Sequence, residues 1–144
     1  MFLLGLGSNL SSSFGDRFEN INLAASYLET YKIKIIKRSS YYETPSYPDI
    51  NNPKFINIVV VVSTYLPPED LASVLIFVEE KLERKRIKKN EPRTCDIDII
   101  DYNGKVMNFT YKSLIFSVPH EKLIYRNFVL FPLQEIVPNW IHPK

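Results

Sequence analysis

The stretch Phe55–Leu66 constrains this chain more than any other, because its residue types admit little except a strand within a sheet. β-Branched and aromatic side chains fill it, with Ile56, Ile58, Val60 and Val62 on one side and Phe55, Asn57, Val59 and Val61 on the other. A shorter apolar strand, Phe2 to Leu6, ends at Gly7-Ser8-Asn9, and a loop through Ser11-Ser12-Ser13 and Gly15 follows. Asp16 then stands three residues before Glu19, an acidic form of the capping-box spacing, and Phe18, Ile21, Ala25 and Leu28 recur at helical intervals. A helix is expected over residues 16–30. Ile33 to Tyr42 reads as a second strand, stopped by Thr44-Pro45-Ser46-Tyr47-Pro48, whose prolines force an extended loop that continues to Pro53. Beyond the central strand, Pro67-Pro68-Glu69-Asp70 opens a helix, and Leu71, Val74, Leu75, Val78 and Leu82 make its apolar stripe. Ile87 to Thr94 is a polar, basic loop; Cys95 to Tyr102 is a strand closed by the Asn103-Gly104 turn signal.

The order is β-α-β-β-α-β, which predicts an α+β fold of the ferredoxin-like kind: an antiparallel sheet, both helices on one face, the other face free for a ligand. Pro119, Pro132, Pro138 and Pro143 leave only short helices and extended pieces for Phe109 to Lys144, a short irregular C-terminal extension. At 144 residues the chain is expected to form one domain, 1–144. No run approaches a membrane span, Cys95 is the only cysteine, and Met1 leads into Phe2-Leu3-Leu4-Gly5 without the basic flank of a signal peptide. A cytoplasmic location and no membrane partner are the expectations.

The chemistry concentrates at Arg93-Thr94-Cys95-Asp96-Ile97-Asp98. Alternation puts Asp96 and Asp98 on one face and Cys95, Ile97 and Ile99 on the other. Two neighbouring carboxylates in a strand repel, and a divalent cation would relieve this; hard oxygen ligands suit Mg²⁺. Solvent-facing charges on an open sheet are the plain alternative. Upstream, Arg84, Lys85, Arg86, Lys88, Lys89 and Arg93 stand against Glu91 alone, a local cationic segment that points to an anionic ligand. With glycine only at 5, 7, 15 and 104, neither a phosphate-binding P-loop nor a dinucleotide fingerprint can be written. If ATP binds, arginines and metal must hold its phosphates, and Arg84, Arg86 and Arg93 supply the guanidinium forks. Phe55 and Asn57 share a strand face beside the proline-rich loop, where a ring and an amide suit a planar heterocycle. Two histidines and one cysteine argue against zinc.

These residues resemble, in order and spacing, the 6-hydroxymethyl-7,8-dihydropterin pyrophosphokinase family. The resemblance rests on Gly7-Ser8-Asn9-Leu10, Thr44-Pro45, Phe55-Ile56-Asn57, Glu79, Arg84-Lys85-Arg86, the highly specific Pro92-Arg93-Thr94-Cys95-Asp96-Ile97-Asp98, and Val118-Pro119-His120 followed by Arg126 and Phe128. It covers residue 5 to about residue 138. It implies a folate-pathway transferase that moves diphosphate from ATP to the pterin hydroxymethyl group and releases AMP. It also implies two magnesium ions on Asp96 and Asp98, with Arg84 and Arg93 stabilising the phosphates. The ATP site would include Glu79, Arg84, Arg86, Arg93, Ile99, His120 and Arg126. The pterin would lie between Phe55 and Phe128, bound by Asn57 and by the chain around Thr44, Pro45, Ser46 and Tyr47. Some members are fused to neighbouring folate enzymes. The chain departs from the family pattern in three places: Ile87-Lys88-Lys89-Asn90-Glu91 lacks the loop tryptophan common in relatives, Glu121 replaces an aromatic, and Glu83 replaces a frequent glycine.

Two rival readings have weaker support. An RNA-recognition module shares the element order, but Lys54-Phe55-Ile56-Asn57-Ile58-Val59 lacks its glycine and aromatic alternation, and Asp96 and Asp98 would repel a phosphate backbone. A regulatory metabolite-binding domain leaves the paired acids and ordered arginines unused. Nucleic acid is therefore not an expected partner.

Overall fold

The computed structural model describes residues 1–89 and 91–144. Asn90, part of the basic loop, lies outside the described residues. In chain order the elements are β1 (Phe2–Ser8), α1 (Arg17–Thr30), β2 (Lys34–Arg38), β3 (Tyr42–Thr44), β4 (Phe55–Ser63), α2 (Pro68–Lys81), β5 (Asp96–Tyr102), β6 (Met107–Tyr111), β7 (Leu114–Val118), a 3₁₀ turn (Leu123–Tyr125) and α3 (Asn127–Ile136).

β4 is central, as its composition demands. It pairs antiparallel with β1 and β2 and carries β3 beside β2, and the principal sheet order is β2-β4-β1-β5. Its Ile56, Ile58, Val60 and Val62 face α1 and α2 in the main core, together with Leu4, Leu6, Ile97 and Ile99. The expected cap is present: the Asp16 carboxylate accepts from the Glu19 N–H at 2.9 Å, satisfying one of the free donors at the start of α1.

Three expectations need correction. The strand read as Ile33–Tyr42 is broken at Ser39. There the Ser39 N–H donates to the Val59 carbonyl while its hydroxyl accepts from the Val59 N–H, so a side chain stands in for one ladder bond. Pairing resumes at β3, and Thr44 is therefore a strand residue rather than the first of a loop.

The C-terminal part is not irregular. β6 and β7 form a hairpin whose turn residues, Lys112 and Ser113, adopt positive φ of 47° and 65° without the glycine that would have marked it in the sequence. α3 runs through Pro132, which is buried within it.

The second face of the sheet is only partly free. Leu3, Val59 and Ile100 form a second core there with Leu123, Val129, Leu133 and Ile136. The open part is what remains at the ends of β1, β4 and β5, and the candidate site residues Asn57, Asp96 and Asp98 lie on it.

Candidate active site

The site is built on strand register. Gly7 of β1 is paired with Asn57 of β4 on one side and with Asp96 of β5 on the other; two residues along, Gly5 is paired with Val59 and Asp98. Directly paired residues point to the same face. Asn57, Asp96 and Asp98 therefore rise from one surface, and the two glycines between them add no side chain to it. Strands spaced at about 4.8 Å put the Asn57 and Asp96 backbones roughly 10 Å apart. A Cβ on Gly7 would come within 2.6 Å of Asn57 Oδ1.

Arginines compensate the acids. Arg84 Nη1 donates to Asp96 Oδ1 at 2.9 Å and to Glu79 Oε2 at 2.7 Å, and Arg93 Nη1 reaches Asp96 Oδ2 at 3.4 Å. Glu79 is buried and also accepts from Arg86 and, at 2.8 Å, from the Ile97 N–H. Burial pushes its carboxyl upward, while Arg84 and, more weakly, Arg86 pull the other way, and N–H donors on both oxygens keep it ionised. For Arg84, burial disfavours the charge, but Asp96 and Glu79 outweigh it and hold the guanidinium protonated. The strand carboxylates are thus less repulsive than their sequence implied, at least for Asp96. Among the described residues the ion-pair partner of Asp98 is Arg126, 3.9 Å away, and its side chain keeps 46% exposure to the cleft it lines. Desolvation by the surrounding walls, then the charge of Asp96, pushes it up to about 7.

Each predicted pterin ring is covered by one of these arginines. The Arg93 guanidinium lies 5.8 Å from the Phe55 ring centroid, and that of Arg126 lies 5.6 Å from Phe128. Arg126 also meets His120: Nη2 and Nε2 are 3.2 Å apart. With His120 Nδ1 accepting from the Lys122 N–H at 3.0 Å, the proton of the neutral ring is assigned to Nε2. Two donors then converge where an anionic acceptor would fit. Burial, then Arg126, lowers the His120 pKa, which favours that neutral ring.

A cleft of about 150 Å³ runs between β5 and the hairpin strand β7, lined by Glu79, Arg86, Asp98, Ile99 and His120 among others. A second, of about 330 Å³, shares Arg86 and also has Arg84 and Arg93 in its wall. Six of the seven predicted nucleotide residues therefore line two adjoining clefts, and Arg126 lies outside both linings, in contact with His120 and Asp98. Ile99 contributes from the main core, where it is 5% exposed.

On the heterocycle side, Asn57 Nδ2 donates to Thr44 Oγ1 at 2.8 Å. Ser46 is buried, its hydroxyl donating to the Pro53 carbonyl at 2.6 Å, whereas Tyr47 is 71% exposed beside Pro45 and Pro48. Sequence reasoning named Asn9 within a motif but not its work. Its N–H donates to the Arg93 carbonyl, its Oδ1 accepts from the Arg93 N–H at 2.7 Å, and its Nδ2 donates to Ser46 Oγ and the Pro53 carbonyl. One buried amide thus joins the proline-rich loop to the basic loop. Also missed were the cleft wall from β7, hidden by its unmarked turn, and Glu83. Glu83 has φ of 69°, a region that favours glycine, and its carboxylate is held by the Ser13 N–H and hydroxyl. Thr94 Oγ1 is buried with no hydrogen-bond partner among the described residues. No cluster of three or more His, Cys, Asp or Glu suited to a metal occurs among the described residues.

A family model described as 7,8-dihydro-6-hydroxymethylpterin-pyrophosphokinase (HPPK) matches residues 3–138. A 2-amino-4-hydroxy-6-hydroxymethyldihydropteridine pyrophosphokinase of Aquifex aeolicus is 39% identical over 140 residues, 97% of this chain and 82% of that protein. The folic acid synthesis protein FOL1 of Dictyostelium discoideum is 38% identical over 141 residues, which are 97% of this chain but 20% of that longer protein. The crystal structure of a Plasmodium falciparum HPPK-DHPS triple mutant shares the fold, with a TM-score of 0.75 at 18% identity, over 98% of this chain and 41% of that one.

Proposed function

The chain belongs to the 7,8-dihydro-6-hydroxymethylpterin-pyrophosphokinase family, and from that membership we propose that it transfers diphosphate from ATP to the hydroxymethyl group of 6-hydroxymethyl-7,8-dihydropterin in folate synthesis. The observation that carries the reading is the common surface of Asn57, Asp96 and Asp98, with arginines on both acids.

The nucleotide occupies the β5–β7 side. Arg84, Arg86 and Arg93 bind its phosphates, Glu79 holds Arg84 and Arg86 in place, Ile99 forms part of the wall, and the His120–Arg126 pair supplies converging donors. The pterin lies against Phe55 and Phe128, with its polar edge on Asn57 and the chain around Thr44, Pro45, Ser46 and Tyr47. Arg93 and Arg126, which rest on those rings and reach Asp96 and Asp98 only at 3.4 and 3.9 Å, turn toward phosphate when the nucleotide binds.

The donor set fits magnesium. Asp96 and Asp98 offer hard carboxylate oxygens on one face of one strand, a donor type that matches an ion which completes its shell with phosphate and water. These two acids would hold two magnesium ions, whose chemistry is to neutralise phosphate charge. The hydroxymethyl oxygen attacks the β-phosphorus and a new P–O bond forms; the bond from the β-phosphorus to the oxygen it shares with the α-phosphate breaks, AMP leaves with that oxygen, and the hydroxyl proton is released to the medium. Arg84 and Arg93 stabilise the charge that moves in this step, and the two loops joined by Asn9 exclude water.

The strand order supports reading the core as a ferredoxin-like unit within a single domain, 1–144. No helix of the described residues is long and apolar enough to cross a membrane, which is compatible with the cytoplasmic location proposed here. The longer relatives support a functional link to other folate enzymes, fused or separate. The test is to incubate the protein with ATP, Mg²⁺ and the hydroxymethyl-dihydropterin. AMP should form in step with pterin consumption; ADP in its place would overturn the assignment.

A further inference from the structure

We propose that Glu135 is a positioning residue for the pterin half of the site, a role that rests on the function proposed above. Glu135 is exposed in the last turn of α3, yet its carboxylate accepts from three donors of one short segment, one of them shared between its two oxygens. The Ser40 N–H donates to Oε1 and Oε2 at 3.0 and 3.1 Å, the Ser40 hydroxyl to Oε2 at 2.9 Å, and the Tyr42 hydroxyl to Oε1 at 2.7 Å. Beside it Lys37 Nζ donates to the Ile136 carbonyl at 3.0 Å, so the C-terminal end of α3 is fastened to the chain on both sides of the β2–β3 break.

Both fastened elements lead to the pterin surface. Tyr42 is paired with Asn57, and Thr44, two residues on, accepts from the Asn57 amide. Phe128 stands in the first turn of α3, about 10 Å from Glu135 along an axis that rises 1.5 Å per residue. One carboxylate therefore sets where the helix bearing Phe128 lies relative to the strand that holds Asn57. The buried side chains Val129, Leu133 and Ile136 already secure α3 to the sheet. Apolar packing is non-directional and tolerates sliding along the contact, whereas hydrogen bonds from one backbone N–H and two hydroxyls converging on one carboxylate restrict it. The spacing between the aromatic wall and the amide is what Glu135 adds.

The experiment compares the parent with Glu135→Ala, Glu135→Gln and Tyr42→Phe, measuring calorimetric affinity for hydroxymethyl-dihydropterin and, separately, for Mg·ATP, with steady-state kinetics and melting. In Glu135→Ala the pterin Kd and KM should rise about tenfold, as loss of one or two net hydrogen bonds would give, while ATP affinity and kcat stay within about threefold. Glu135→Gln keeps an acceptor oxygen and should recover most of the loss, and Tyr42→Phe should fall between it and the parent. Unchanged pterin affinity in a folded Glu135→Ala, or equal weakening of both ligands, would overturn the positioning role and leave the function standing. Failure of the parent itself to bind the pterin would overturn both.

Discussion

Asn57 and Asp96 are brought onto one surface because both are paired with the same residue, Gly7. The gap between them is kept clear by the absence of a side chain, and a Cβ there would meet Asn57 Oδ1 at 2.6 Å. Gly7→Ala should displace the Asn57 carboxamide, which its bond to Thr44 prevents from turning freely. Pterin affinity should fall in both Gly7→Ala and Asn57→Ala, by about 1–3 kcal/mol for the lost amide contact, with ATP affinity little changed. Separate calorimetric titrations with the two ligands check this.

The two strand acids should differ in what they contribute to stability. Asp96 accepts from Arg84, whose side chain is 9% exposed, so Asp96→Ala leaves a buried guanidinium with Glu79 as its remaining carboxylate. A loss of about 1–2 kcal/mol is expected in urea unfolding with EDTA present. Asp98→Ala removes a like charge beside Asp96 and a long, half-exposed contact with Arg126 at 3.9 Å, and should match the parent or exceed it. Turnover should fall by at least about 100-fold in both.

Glu79→Ala should be among the most destabilising single changes on the site side. It strips a buried carboxylate from Arg84 and Arg86 and leaves the Ile97 N–H without its acceptor. Breaking such a pair from one side costs about 3 kcal/mol or more. Glu79→Gln, which retains an acceptor for Ile97, should cost less. Equilibrium unfolding of the two variants gives the comparison directly.

Thr94→Val tests an orphan. Its hydroxyl is buried without a partner among the described residues, so replacing it by a methyl group should be neutral or stabilise the ligand-free protein by up to about 1 kcal/mol. If the same variant weakens Mg·ATP binding in a titration, the hydroxyl finds its acceptor in the nucleotide complex.

The brace at Glu135 has a defined pH range. The Tyr42 hydroxyl, then the Ser40 N–H, hold the Glu135 carboxyl below its usual value of 4.5. A depressed folded-state pKa means a stabilising contribution that is complete above the unfolded value and lost as pH falls through the folded one. Glutamine does not titrate. The melting-temperature advantage of the parent over Glu135→Gln should therefore be constant well above 4.5 and shrink as the pH falls below that value. A difference that persists in acid would show that the carboxylate charge is not what the brace uses.

Much of this molecule follows from the sequence alone, because the deciding signals are local. Alternation over Phe55–Ser63 fixes which side chains of β4 enter the main core, and the same period sets Asp96 and Asp98 on one face with Ile97 and Ile99 on the other. Asp16 caps α1 through a contact three residues away. The linear motif from Pro92 to Asp98 holds the candidate metal and phosphate ligands proposed here. Other features depended on partners distant in the chain. That Gly7 separates Asn57 from Asp96 is a matter of register among three strands, which no single strand encodes. Ser39 breaks a strand whose β-branched residues predict continuity, because its side chain bonds to Val59 on the neighbouring strand. The hairpin Met107–Val118 turns on Lys112 and Ser113, residues that give no turn signal by type, and α3 passes through a proline because burial of Val129, Pro132, Leu133 and Ile136 outweighs one missing hydrogen bond. Local chemistry chose the elements and the reactive residues; tertiary packing decided which of them share a surface, since strand pairing and burial energies depend on neighbours that only the folded chain brings together.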